Sequence, residues 1–578
     1  MLLMSALLLG RLFYLQIVNT DYYQVRAENN RINATPIPPN RGLILDSKGH
    51  VLAKNYASYV LELMQRDGDD PYKIINRLSD LIAISPQDSE RFAKALSASS
   101  QFSNVIIRDD LSDEEVALFT SNAYQFPEVQ LSAQLFREYP YGEITSHLLG
   151  YVRRVSAADL QRLEQKGLRA AYTNSDWIGK RGIEAFYENT LRGQLGLNYV
   201  EVDSRGMELR QLERQNPIGG QNVVLTIDIE LQRVAYEAFA DRNGALIALD
   251  PNDGSVFAFI SKPGYNPSGF VKGFDTKTWQ QIRTSMDRPL VNRVTNGVYP
   301  PGSTLKPFLA LAGLEENIRN PAWSMWDPGY FSLPGSKKQF RDWKRGGHGQ
   351  VNLHKAIVES VDTYFYKLAD DLGIDTIHQY LARFGFGVKT GIDLPSESEG
   401  IAPSRDWKQK RFGVSWYRGD TISVGIGQGY NLVTPLQLAV ATAGIANGHS
   451  LIQPALVKKT GPTSALPLNI SSQHIRVLKK AMEDVMKPGG TAGAAATGAA
   501  YTMAGKTGTA QVFSLNGEEY DEINIDENLR DHALFIAYAP ADNPTIALAV
   551  VVENGGHGGS VAAPIARKVF DEYFKSHK

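Results

Sequence analysis

Apolar runs that read as β-strands bracket the second half of the chain, and they constrain its fold more than any other feature. Gly244-Ala-Leu-Ile-Ala-Leu-Asp250 and Ser255-Val-Phe-Ala-Phe-Ile260 flank Pro251-Asn-Asp-Gly254, a hairpin turn signal. Strand signals return only near the C-terminus, in Thr502-Met-Ala-Gly-Lys-Thr507, Ala533-Leu-Phe-Ile-Ala-Tyr538 and Thr545-Ile-Ala-Leu-Ala-Val-Val-Val552. One sheet shared by early and late strands encloses whatever lies between them, here a mainly helical block over roughly 303–500. The expectation is an antiparallel sheet with helices on both sides, closed by an amphipathic helix from Ala563 to Tyr573.

The chain has 578 residues, too many for one core, which implies two to four domains. A net charge of −2 gives no bias toward nucleic acid. No cysteine is present, which excludes disulfides, thiolate metal sites and a cysteine nucleophile. The first stretch, Met1 to Val18, is strongly apolar but interrupted by Arg11 and shorter than the ~20 residues a spanning helix needs. It lacks the basic start and small-residue cleavage site of a signal peptide. It reads as the outer part of a membrane anchor whose beginning is missing, with Tyr14, Tyr22 and Tyr23 as interfacial aromatics.

Residues 19–40 read as polar and irregular. Leu43-Ile-Leu45 and Val51-Leu52, separated by turn residues Asp46 to Gly49, read as a hairpin. Short strands and amphipathic helices fill 57–220, among them Ser112 to Phe119 with a capping-box start and a helix over Gly182–Leu191. His147 reads as structural rather than as a base. Glu213 to Gly220 reads as a linker. The expected domains are therefore 1–18, a truncated anchor; 19–220, a non-catalytic α+β domain; and 221–578, the domain with the antiparallel sheet.

Three polar clusters fall in that last domain. Ser303 and Lys306 follow Tyr299-Pro-Pro-Gly302 and precede a buried-helix run, so hydroxyl and amine share one helix face. A serine with a base beside it is a nucleophile; the alternative is an N-cap and a surface lysine. Ser360-Val-Asp362 sits between two helical patterns, where its alternative is a helix cap. Gly505-Lys-Thr-Gly508, followed by Thr509, lies in a strand pattern whose glycines permit close approach of a ligand, and its lysine and hydroxyls suit a carboxylate. It is not a phosphate loop, because Ala500 stands where that motif needs glycine and no helix follows. Gly425-Ile-Gly-Gln-Gly429 mimics dinucleotide glycines but lacks their spacing and reads as a tight loop near the site.

In that order, Ser-x-x-Lys, Ser-x-Asp and Lys-Thr-Gly resemble the signature of the penicillin-recognising serine acyltransferases. Arg41-Gly42, Asp46, Gly49, Gly182-Ile-Glu184 and Leu191-Arg-Gly193 resemble the non-catalytic region of class B penicillin-binding proteins, and Phe340-Arg-Asp-Trp-Lys344 and Val424-Gly-Ile-Gly-Gln-Gly-Tyr430 resemble their elongation-specific subgroup. The resemblance spans essentially the whole chain. It implies a multidomain α+β protein, an elongated pedestal domain preceding a transpeptidase domain of the penicillin-binding/serine β-lactamase-like fold. It implies a peptidoglycan D,D-transpeptidase that cross-links stem peptides during cell elongation and is a target of β-lactams; the alternatives are a D,D-carboxypeptidase or a non-catalytic penicillin-binding sensor. By the resemblance Ser303 attacks, Lys306 takes its proton, and Ser360 relays a proton between Lys306 or Lys506 and the leaving amine. Asp362 orients Lys306, the backbone N–H groups of Ser303 and Thr509 form the oxyanion hole, and Lys506, Thr507, Gly508 and Thr509 hold the substrate carboxylate.

The resemblance also implies no required cofactor. Some relatives complete a metal site with a cysteine where this chain has Val361, so Asp327, Asp342 and His348 are weak candidates for Zn, and hydrogen bonding is the favoured reading of the three. The implied partners are stem peptides on the lipid-linked precursor polymer, a polytopic glycan polymerase, a cell-shape scaffold protein and β-lactams, but no nucleic acid. The implied location is the bacterial inner membrane, single-pass, with the catalytic domain in the periplasm.

Overall fold

The computed structural model describes residues 2–19, 32–64, 70–98, 104–172, 177–202, 208–458, 464–511, 526 and 529–576. The C-terminal half is built on five antiparallel strands: β1 (Gly244–Leu249), β2 (Val256–Lys262), β3 (Ala504–Ala510), β4 (His532–Ala539) and β5 (Ile546–Val552). Their order across the sheet is β2-β1-β5-β4-β3. Early and late strands therefore share one sheet, joined where β1 pairs with β5 from Gly244↔Val552 to Leu249↔Ala547. Every residue of β1 and β5 is buried, as their apolar alternation-free sequences require of central strands covered on both faces.

One face is covered by the helix Ile229–Ala238, capped by Asp228, and by the C-terminal helix Ala562–Ser576. The helix Pro435–Asn447 covers the other. It is buried from Pro435 to Ala446, and its lack of a polar side is what that position demands. Between β2 and β3 run the helices that carry the site: α1 (Lys306–Glu315), buried from Lys306 to Leu314, and α2 (Asp362–Arg383), which breaks at Gly373. α1 packs against α2. The inserted block is not wholly helical, because Ser324–Asp327 pairs with Gly349–Asn352 and Tyr330–Ser332 with Gln339–Arg341.

In the N-terminal half the long strand Val51–Met64 pairs antiparallel with Ile44–Leu45, Asn104–Leu111 and Val129–Glu138. The expected hairpin forms, and Ser112 caps Asp113–Asn122 in a capping box. Two readings change. Ile32–Ile37, in a stretch read as irregular, and Glu208–Gln215, read partly as linker, are strands on either side of Gly196–Val202. The partner of Ile32–Ile37 lies far off in the sequence, so no local pattern marks that strand, whereas Glu208–Gln215 pairs with the strand just before it. The expected helix over 182–191 is two short turns, Gly182–Phe186 and Glu188–Arg192, and Val223–Val224 forms a short strand parallel to Ile44–Leu45. Glu184, fully buried, binds Arg41 and Arg137, each at 2.6 Å.

The halves meet through Lys48 Nζ to Asp228 (2.8 Å), Gln232 Nε2 to the Ile144 carbonyl (2.9 Å) and Tyr187 O–H to Asp393 (2.7 Å). Leu2–Phe13 is a helix whose leucines at 7, 8 and 9 are exposed, and Tyr14 is exposed as well. Among the described residues no helix is long and apolar enough to cross a membrane. Tyr22 and Tyr23 lie outside the described residues.

Candidate active site

Ser303 lies in a 3-10 turn, Gly302–Leu305, that leads into α1. The turn is wedged between two backbones. Gly302 has a φ of +52° and donates its N–H to the Gly427 carbonyl at 2.9 Å. A Cβ on Gly302 would lie 2.5 Å from the Thr509 carbonyl, and one on Gly427 would lie 2.2 Å from the Gly302 carbonyl. Only glycine fits either position. The Gly425–Gly429 loop is thus a support for the Ser303 turn, and Gln428 Nε2 donates to the Thr509 carbonyl at 3.3 Å.

Ser303 itself is half-buried, and among the described residues nothing hydrogen-bonds its hydroxyl. Lys306 is fully buried at the start of α1. Its ammonium donates to Asp362 Oδ1 at 2.6 Å, to the Ser360 carbonyl at 2.7 Å and to Ser360 Oγ at 3.3 Å. Ser360, at a φ of +59°, occupies the turn between Leu353–Val358 and α2, and this left-handed conformation lets it present hydroxyl and carbonyl to the same amine. Lys506, on the edge strand β3, donates to Ser360 Oγ at 2.8 Å and to the Thr507 carbonyl at 3.0 Å. The Ser360 hydroxyl thus stands between two lysines.

The two amines differ in environment. Burial, and then the charge of Lys306, push Lys506 well below the ordinary lysine range. Lys306 instead has Asp362 as an ion-pair partner. The amine driven toward neutrality is therefore Lys506. Only the folded chain shows which amine the carboxylate joins.

β3 is the last strand of the sheet, so one edge is open. The Thr509 carbonyl faces Gly302 and Gln428 rather than β4. In an antiparallel strand a residue's N–H points the same way as its C=O, so the Thr509 N–H also faces the Ser303 turn. Gly508 has no room for a side chain, since a Cβ would meet Thr304 Cγ2 at 2.7 Å. Thr507 Oγ1 shares a hydrogen bond with Thr491 at 2.9 Å. Thr491 carried no sequence signal.

Asp327, Asp342 and His348 are buried together, with one donor atom of each within 4.8 Å of the others. These atoms are already engaged. Asp327 accepts the N–H groups of Gly329 (2.7 Å) and His348 (2.8 Å), and the His348 ring lies between Asp342 (3.1 Å) and Glu359 (2.8 Å). Asp342 Oδ2 accepts the N–H groups of Asp362 (2.7 Å) and Thr363 (3.2 Å), the first two of α2. Burial, and then the charge of Asp362, raise the Asp342 carboxyl above its usual range. The cluster braces the Ser360–Asp362 turn from behind. Where a fourth ligand would stand, Val361 is apolar and fully buried.

Comparison with known proteins gives the cleft a context. Residues 244–571 match the family model of the penicillin binding protein transpeptidase domain, and residues 36–225 match that of the penicillin-binding protein dimerisation domain. The chain is 40% identical to the peptidoglycan D,D-transpeptidase MrdA of Haemophilus influenzae, over 99% of this chain and 90% of that protein. It superposes with a TM-score of 0.81 on the penicillin-binding protein PBP2 of Helicobacter pylori in complex with MreC, at 31% identity, covering 94% of this chain and 99% of that one. A component of a peptidoglycan synthase complex that coordinates polymerization and crosslinking superposes with a TM-score of 0.73 at 29% identity, covering 99% and 96%.

Proposed function

Because the chain belongs to the penicillin-binding proteins, with the dimerisation and transpeptidase domains of a class B member and its likeness to penicillin-binding protein 2, we propose that Ser303, Lys306, Ser360, Asp362 and Lys506 carry a peptidoglycan D,D-transpeptidase reaction. The observation that carries this reading is the continuous hydrogen-bonded path Lys306–Ser360–Lys506 beside Ser303.

Ser303 Oγ attacks the carbonyl between two D-alanines of a stem peptide. Ser360 Oγ lies within hydrogen-bonding reach of both amines and can pass a proton between them. Lys506, held toward neutrality, accepts a proton from Lys306 through Ser360, and Lys306 so freed takes the Ser303 proton. The relay through Ser360 then delivers a proton to the leaving D-alanine amine. The N–H groups of Ser303 and Thr509 stabilise the oxyanion, and loss of one such donor costs about 10²–10³ in rate. Lys506, Thr507 and Thr509 bind the terminal carboxylate, with Gly508 allowing the strand to approach. A second stem-peptide amine resolves the acyl-enzyme and forms the cross-link. β-Lactams acylate Ser303 as imitations of the D-alanyl-D-alanine end.

No step needs a metal. Asp327, Asp342 and His348 would offer three nitrogen and oxygen donors to a Zn ion, but Val361 withholds a fourth, and we assign the cluster to hydrogen bonding. Protein purified from zinc-supplemented cells is expected to carry well below one equivalent of zinc; a stoichiometric ion that resists dialysis would refute this. The apolar surface of Leu2–Phe13 supports attachment to the bacterial inner membrane, with the catalytic domain in the periplasm. The likeness to a PBP2 solved with MreC and to a peptidoglycan synthase component supports a scaffold protein and a glycan polymerase as partners.

Fluorescent penicillin tests the assignment. Wild type is expected to label stoichiometrically and Ser303→Ala not at all. Retained labelling in the variant overturns it. Release of D-alanine without cross-linked dimer would make the enzyme a carboxypeptidase instead.

A further inference from the structure

A pocket of about 210 Å³ lies where the two halves of the chain meet, and its lining shares no residue with the cleft around Ser303. The N-terminal half contributes His147, Tyr151 and Arg181; the C-terminal half contributes Tyr265, Phe270, Trp279, Asn296 and Ser396, among others. We propose that this pocket binds a muramyl peptide: one sugar ring together with a free carboxylate of the short peptide it carries. The proposal rests on the transpeptidase reading, since the strand that supplies the stem peptide is built of such units.

Three features define the ligand. First, the walls are aromatic. Tyr151 stacks on Phe270 at 3.7 Å, and Trp279 and Tyr265 stand edge-on to Phe270 at 5.9 and 5.5 Å. In this packing Phe270 and Tyr265 are buried, and the partly exposed Tyr151 and Trp279 are the rings left to meet a flat, partly apolar group such as a sugar ring. The volume falls below the ~300–1,000 Å³ of pockets for drug-sized molecules, so it admits about one ring.

Second, the pocket carries one permanent positive charge and no negative one. Arg181 is exposed, and among the described residues no carboxylate pairs with its guanidinium. His147 beside it contributes no charge, because burial pushes its imidazole down to about 4, and its ring faces the Pro263 carbonyl at 3.3 Å. None of the lining side chains is acidic. An uncommitted guanidinium in such a setting selects a carboxylate.

Third, the neutral polar groups of the lining suit hydroxyls and amides. Asn296 Nδ2 donates to Ser396 Oγ at 3.1 Å, which leaves the Ser396 hydroxyl proton to donate to a ligand. Because both halves of the chain line the pocket, a bound ligand also ties them together.

The test uses the full chain acylated by penicillin at Ser303, so that the cleft is closed. The probes are N-acetylmuramyl-L-alanyl-D-glutamate, its neutral diamide and acetate, titrated by calorimetry. The acid is expected to bind saturably, the diamide about tenfold or more weakly, as befits loss of a charge-assisted pair. Arg181→Gln should erase the preference of acid over diamide, and Trp279→Ala should weaken both. No saturable binding to the acylated chain, equal affinity for acid and diamide, acetate binding as tightly as the acid, or an unchanged preference in Arg181→Gln would each overturn the proposal. The acid-against-diamide comparison uses wild-type protein, so a variant that misfolds does not decide the matter. Failure of penicillin to acylate Ser303 would count against the transpeptidase reading alone, and the titration would then be run on the unmodified chain.

Discussion

Gly427→Ala offers a sharp test of how the Ser303 turn is held. The new Cβ would sit 2.2 Å from the Gly302 carbonyl oxygen, 2.7 Å from its nitrogen and 2.8 Å from its carbonyl carbon. Real Cβ contacts begin near 3.0 Å, so the two backbones must part by about 1 Å, with no flexible side chain to absorb the shift. That shift breaks the 2.9 Å bond from Gly302 N–H to Gly427 and moves the neighbouring Ser303. Misplacing a reacting group by about 1 Å costs on the order of 10²-fold in rate, or about 2.7 kcal/mol. The left-handed φ of +71° adds roughly 1–2 kcal/mol of conformational cost. Gly413→Ala is the control. Its φ is +72°, but nothing lies within 4 Å of the added carbon. The assay is the second-order rate of acylation by fluorescent penicillin, with urea unfolding alongside. Gly427→Ala is expected to acylate about 10²-fold more slowly, while Gly413→Ala loses stability but acylates normally. A Gly427→Ala rate within about threefold of wild type would refute the claim that this loop fixes the nucleophile.

Three further predictions follow from buried charge. Lys506→Met should abolish penicillin acylation without lowering stability at neutral pH. Because the folded chain holds Lys506 well below 10.5, the unfolded chain binds the extra proton between those limits, so wild-type stability rises with pH through that window. The variant should lack this rise, and an unchanged pH profile would count against a neutral Lys506. Asp342→Ala removes the acceptor for the first two N–H groups of α2 and should cost about 0.5–2 kcal/mol in urea unfolding, together with slower acylation; no change in either measurement would remove Asp342 from the site's support. Glu184→Gln leaves Arg41 and Arg137 without their shared carboxylate and should cost about 3–5 kcal/mol. In wild type, burial raises the Glu184 carboxyl but the two arginines more than offset it, so its stabilisation is present above 4.5 and is lost as pH falls through its depressed value. Acid unfolding of the variant should lack that contribution, and a loss under about 1 kcal/mol would show the cluster to be dispensable.

Features that act over a few residues were legible before the fold was known. The apolar runs of β1 and β5 read as strands, and the Pro-Pro-Gly stop before Ser303 read as the start of a buried helix. The three polar motifs could be recognised by their order alone. Ser112 marked its helix start because a cap acts within one turn. What the sequence did not contain was distance. Ile32–Ile37 became a strand because Gly196–Val202 lies against it, and Thr491 entered the site because Thr507 folded beside it. The glycines of 425–429 were legible as a tight loop, but not that Gly427 bears on Gly302. Above all, Lys306 and Lys506 lie 200 positions apart, and both touch Ser360. Which of two buried amines is driven toward neutrality depends on which one a carboxylate reaches, and Asp362 reaches Lys306. Electrostatic coupling falls with separation in space rather than along the chain, so that assignment belongs to the tertiary structure alone.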